Sequence, residues 1–165
     1  MTQMHRAARA IVGAGVGLLS LMTLLALLSV LGSTAGAQIG KLVDPNMAAE
    51  SELLPLPNMT PAIVKGMIEH RPYKTVVDLN KFLVEQKLTP EQTKEFYRKA
   101  FIPINVNTGA KAESLLIPGV GARMSAEFEE YRPWKNWTQF DKEIGKYVGQ
   151  AETDRLKQYF FIPAS

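Results

Sequence analysis

The chain predicts an all-α fold of short helices, arranged as two repeats of one plan. Three observations lead there. Arg71-Pro72-Tyr73-Lys74 recurs as Arg132-Pro133-Trp134-Lys135. Phe101-Ile102-Pro103 recurs as Phe161-Ile162-Pro163. Between these marks the apolar residues fall at helical spacing, broken by Thr-Pro, Arg-Pro and glycine turns. Leu54 and Leu115, Pro57 and Pro118, Met67 and Phe128, and Leu79 and Phe140 stand at the same offset. Two modules follow, 44–103 and 104–163. Repeats of this size stack or pack side by side.

The segment before them is of another kind. Arg6 and Arg9 precede an almost wholly apolar run over 11–31, and Ala35-Gly36-Ala37 follows. Residues 1–37 read as a secretory signal cleaved after Ala37. Retained, 11–31 is just long enough to serve as an uncleaved anchor. Either way the remainder lies in the periplasm or on the extracellular face, because the basic residues come before the apolar run. Residues 38–43 form a lead-in.

In the first module, Met47 to Leu54 predicts a short helix stopped by Pro55 and Pro57. Thr60-Pro61 opens a second helix, with threonine as cap and proline at the first position. Its apolar face is Ile63, Val64, Met67 and Ile68, and Arg71-Pro72 ends it. Thr75 with Asp78 makes a reciprocal cap for a third helix that buries Val76, Leu79, Phe82 and Leu83. Thr89-Pro90 with Gln92 opens a fourth, expected to run to about Phe101. In the second module Thr108 is expected to cap a helix through Leu116. Pro118 to Gly121 turns into a helix over Ala122 to Tyr131. Thr138 opens the third helix and Gly149 precedes the last. Phe101 to Val106 is apolar enough for a strand, but Pro103 and the repeat favour a pinned linker.

Composition narrows the chemistry. Cysteine is absent, which excludes thiol catalysis and iron–sulfur ligation and leaves packing to hold the fold. His70 is the only histidine beyond the leader, so the common zinc sites are not expected. No metal, cofactor, small-molecule substrate or enzymatic activity is expected. Without Arg6 and Arg9 the chain carries 17 Lys and Arg against 16 Asp and Glu. Overall charge therefore lends nucleic-acid binding no help, and any basic patch must come from geometry.

The best functional clue is Leu115 to Arg132. Gly119 and Gly121 bracket Val120, giving a turn that exposes backbone N–H groups at a helix start. Such groups can hold a phosphate. Arg123 sits in the first turn of that helix, where a cation is unfavourable by a few tenths of a kcal/mol unless it faces a ligand. Arg71 and Arg132 read as helix-end cations bridging to a neighbouring acid. Tyr73, Trp134 and Trp137 divide between core anchors and an exposed protein interface.

Ile104-Asn105-Val106-Asn107-Thr108, the Leu116-Ile117-Pro118-Gly119-Val120-Gly121 turn and the helix ending at Arg132 together resemble the helix-hairpin-helix family. The tandem arrangement is similar to exported competence DNA-receptor domains. The resemblance implies a hairpin whose amides grip a DNA phosphate. The positions are Gly119, Val120 and Gly121, with Arg123, Lys111 and Lys135 as supporting cations. The first module departs, with Asn58 and Thr60 in place of the two glycines. Leu88-Thr89-Pro90-Glu91-Gln92 looks closer to the small extrinsic photosystem II protein of the 12-kilodalton class, which uses this fold to dock on membrane proteins. Two partners are thus expected as alternatives: duplex DNA, or a periplasmic or membrane protein.

Overall fold

The computed structural model describes residues 41–163. The leader, its cleavage point and the anchor reading lie outside the described residues. Among the described residues no helix is long and apolar enough to cross a membrane. The chain is mainly helical: α1 (Glu50–Leu53), α2 (Pro61–Glu69), α3 (Val76–Glu85), α4 (Pro90–Tyr97), β1 (Ile104–Asn105), α5 (Lys111–Ser114), α6 (Ala122–Glu130), α7 (Trp137–Val148), α8 (Gln150–Lys157) and β2 (Phe160–Phe161).

Capping decides where most of these helices begin. The Thr60 hydroxyl accepts from the Ile63 amide, and Pro61 supplies a first position that needs no N–H. Thr75 with Asp78, and Thr89 with Gln92, cap reciprocally as the spacing predicts. Two expected caps move. α7 is capped by Asn136, whose side chain accepts from Gln139, so the helix starts at Trp137 and not after Thr138. Thr108 caps nothing; its amide is spent on the Asn105 carbonyl, and α5 starts later with Glu113 reaching back to the Ala110 amide. α4 stops at Tyr97, earlier than expected, because the chain there turns extended and Ala100 bridges to Val43.

The same hydrogen bonds appear in both halves. Asn46 exchanges two bonds with the backbone of Tyr73, at 2.9 and 2.9 Å, and Asn107 does so with Trp134 at 2.9 and 2.6 Å. Arg71 donates to the carbonyls of Pro45 and Ala48, and Arg132 to those of Val106 and Gly109. The two arginines thus hold carbonyl oxygens of the helix-entering loop, not the acids the sequence suggested. Charge-assisted bonds of this kind are roughly twice as strong as neutral ones. The peptide bonds Arg71–Pro72 and Arg132–Pro133 are both cis.

Each half also closes on itself. Val43 bridges to Ala100 in parallel, and β1 pairs in parallel with β2, Ile104 against Phe160. The stretch read as a linker therefore contributes a two-residue strand. One apolar core runs through both halves. The Tyr159 hydroxyl donates to the Tyr97 carbonyl, and the ring meets Phe101 edge-on at 4.9 Å. Trp134 and Tyr73 fill matching core positions, only 1% and 7% exposed, with Nε1 and the hydroxyl donating to the carbonyls of Phe128 and Met67. Neither can anchor an external partner. Trp137 is half-buried, its ring edge-on to Phe140 at 5.5 Å.

Candidate functional site

Four helices begin after a turn that reverses the chain, two in each half: α2, α4, α6 and α8. The first three N–H groups of any such helix lack an intrahelical partner. In the first half two of the three are taken, and only the second, on Ala62 and Glu91, stays free. Thr60 and Thr89 accept from the third helical amide, and Pro61 and Pro90 remove the first one. In the second half they are bare. Gly121 and Gly149 stand at the cap position with no side-chain bond to offer, and Ala122 and Gln150 follow where the first half has proline.

The Leu115–Gly121 turn itself is tight. The Val120 amide donates to the Ile117 carbonyl, so it is spent inside the turn and is not offered outward as expected. Val120 is half-buried and packs on the core. Gly119 takes φ +87°, which a side chain would disfavour. Gly119, Gly121, Ala122 and Arg123 are all exposed. Among the described residues the amides of Gly119 and Gly121 have no backbone partner. The helix dipole adds a partial positive charge at this end. Five amides without a partner gather over one short arc: Gly119, Gly121, Ala122, Arg123 and Met124.

Lys111 at the start of α5, Arg123 in the first turn of α6, and Lys135 beyond Pro133 are exposed. Glu129 and Glu130 come later on α6, whereas Glu127 lines a hollow with Gly121, Arg123 and Met124 and sets an anion near the open end.

Sequence reasoning missed two features. The first is Arg155 on α8. Its guanidinium donates to the Pro118 carbonyl at 2.9 Å and would lie 3.5 Å from a Cβ at Gly119. Glu152 grips it with two bonds of 2.7 Å and holds it charged, against the cost of partial burial. The equivalent residue in the first half is Glu95, which accepts from the Asn58 side chain. Asn58 adopts φ +63° and so makes the bend that Gly119 makes. The departure at this position preserves the turn and changes what surrounds it: a cation beside the second-half turn, an anion beside the first. The second missed feature is the open start of α8. Gly149, expected only to precede the last helix, takes φ +77° and turns α7 directly into α8.

Beside the same turn lies a groove of about 450 Å³ formed with α3 and α4 of the first half. Among the described residues no cluster of His, Cys, Asp or Glu is arranged to hold a metal ion. No family model, curated protein or solved structure matches the chain.

Proposed function

We propose that 44–103 and 104–163 are tandem helix-hairpin-helix modules of an exported, non-enzymatic protein, and that the second binds duplex DNA by its phosphates without reading bases. The observation that carries this reading is the set of unpartnered amides at Gly119, Gly121 and the start of α6, two more than the equivalent turn of the first half leaves. Backbone donors and a dipole at a helix start suit a phosphate. Contacts of this kind position a duplex and do not select sequence. The open start of α8 supports a second phosphate contact. Lys111, Arg123 and Lys135 supply the cations.

With those three cations each neutralising one phosphate, the logarithm of affinity should fall against the logarithm of salt with a slope of about −2.7. Raising salt from about 50 to 200 mM should then weaken binding about 40-fold. Fluorescence anisotropy with a labelled duplex measures this directly. Absence of binding at low salt, or binding indifferent to salt, removes the proposal. A structural counterpart sharpens it. Gly121 has φ −102°, and a Cβ there would meet nothing within 4 Å, so Gly121→Thr with Ala122→Pro transplants the first-half seal without a clash. This variant should fold normally and lose duplex binding.

The first module supports a second reading, a scaffold that holds a periplasmic or membrane protein. Its Thr-Pro caps take two of the three amides at each helix start, and Glu95 sets an anion beside Asn58. Retention of a membrane partner by the chain with both second-half helix starts sealed would favour this reading over the first.

A further inference from the structure

The groove beside the Leu115–Gly121 turn has a composition that a phosphate backbone does not require. Val84 on α3 and Leu115 at the end of α5 stand 54% and 43% exposed, facing it from opposite sides. Pro118 and Val120 line the turn side and Tyr97 lies beneath. Large aliphatic side chains exposed together in a concave surface are the mark of a ligand site. Its one charged lining residue is a cation, Lys94, beside the neutral side chains of Asn80 and Thr93. Lys94 contributes an ammonium and Gly119 and Gly121 contribute unpartnered amides, while no acidic residue lines the groove. Glu95, the nearest acid along α4, is turned away to accept from Asn58.

We infer that this groove binds a small aliphatic carboxylate, its chain laid between Val84 and Leu115 and its carboxylate set among Lys94 and the Gly119 and Gly121 amides. The apolar walls supply most of the affinity. The donors select an anion over a neutral molecule of the same shape. The inference stands apart from DNA binding, because it rests on the walls and on Lys94. It shares two amides with the phosphate site, so ligand and duplex exclude each other if both bind.

The test uses the full chain, isotope-labelled, with octanoate, octanol and acetate titrated in parallel and backbone amide shifts followed. Octanoate should shift Gly119 and Gly121 saturably, with an affinity of about millimolar or tighter for a ligand of this size. Octanol, which lacks the charge, and acetate, which lacks the chain, should bind at least about fivefold more weakly. Leu115→Asp, at an exposed position, should abolish the octanoate response, and Lys94→Gln should weaken it about fivefold. Octanol binding as well as octanoate overturns the carboxylate assignment. No saturable shift at the two glycines, or unchanged binding by Leu115→Asp, overturns the site. Duplex anisotropy on the same sample reads the DNA proposal independently: a chain that binds octanoate and not DNA keeps this inference and loses that one.

Discussion

The two halves of this molecule use the same skeleton and finish their helix starts in opposite ways. In the first, threonine and proline take the third and first amides of α2 and α4. In the second, glycine leaves those of α6 and α8 open. The bends agree, with Asn58 at φ +63° and Gly119 at φ +87°. The neighbours do not, with Glu95 bound to Asn58 in one half and Arg155 donating to Pro118 in the other. Conserving a turn and conserving a binding site are therefore separate matters. A backbone can keep its path while its exposed donors are covered and the adjoining charge is reversed.

The comparison breaks most sharply at the core. Trp134 and Tyr73 hold matching positions, so truncating either to alanine should cost about 4 kcal/mol in urea unfolding. If the shared core makes the halves one cooperative unit, both variants should unfold in a single transition with unchanged slope. Two separate transitions would show that the halves melt independently.

Arg71→Ala and Arg132→Ala come next. Each removes two charge-assisted bonds to loop carbonyls, a loss of about 3 kcal/mol. Near-equal losses would show the two clamps to be equivalent. A large difference would show that one half tolerates an open loop.

A subtler contrast lies beneath the hairpins. Leu53 and Val64 are fully buried in the first half, and Ser114 and Ser125, their counterparts, share a 2.6 Å hydrogen bond in the second. Ser114→Ala leaves a buried hydroxyl without its partner and should cost about 1–2 kcal/mol. Replacing both, Ser114→Leu with Ser125→Val, restores the first-half pair and should recover most of that loss. A double-mutant cycle by chemical denaturation measures the coupling.

Alkaline pH should act on both halves, since burial also raises the Tyr159 phenol of the second. Burial pushes the Tyr97 phenol upward, and it pushes Tyr73 up to about 12 against the opposing pull of Arg71. Trp134, the counterpart of Tyr73, does not titrate. The folded state thus favours the neutral phenol. Its stabilisation is complete below pH 10, the ordinary tyrosine value, and is lost as pH rises through the raised one. For Tyr97 the loss is about 1.4 kcal/mol for each pH unit above that value. Stability measured from pH 9 to 12 should fall, and Tyr97→Phe should flatten the fall. The smallest expected effect is at the cap. Gly121→Thr should raise stability by only a few tenths of a kcal/mol.

Local signals were legible in the sequence. Thr-Pro starts, the Thr75–Asp78 and Thr89–Gln92 boxes and the repeated Arg-Pro-aromatic-Lys tetrad all depend on residues a few positions apart. What escaped depends on distant partners. The carbonyls that Arg71 takes lie 26 and 23 residues back in the chain, and Arg155 reaches Pro118 across 37. A strand of two residues has no periodicity to detect. Gly149 was legible as the residue before the last helix, and what escaped was its φ of +77°, which turns α7 directly into α8.

The parallel pairing of Val43 with Ala100 and of Ile104 with Phe160 brings the first and last residues of each half side by side. A unit whose ends already touch can be copied in series without remodelling its interior. Phe101-Ile102-Pro103 passes straight from the close of one unit to the opening of the next, and Phe161-Ile162-Pro163 offers the same outlet again. Growth of such an array is limited by how well each added copy mates with its neighbour, while every copy remains free to bare or cover its own helix starts.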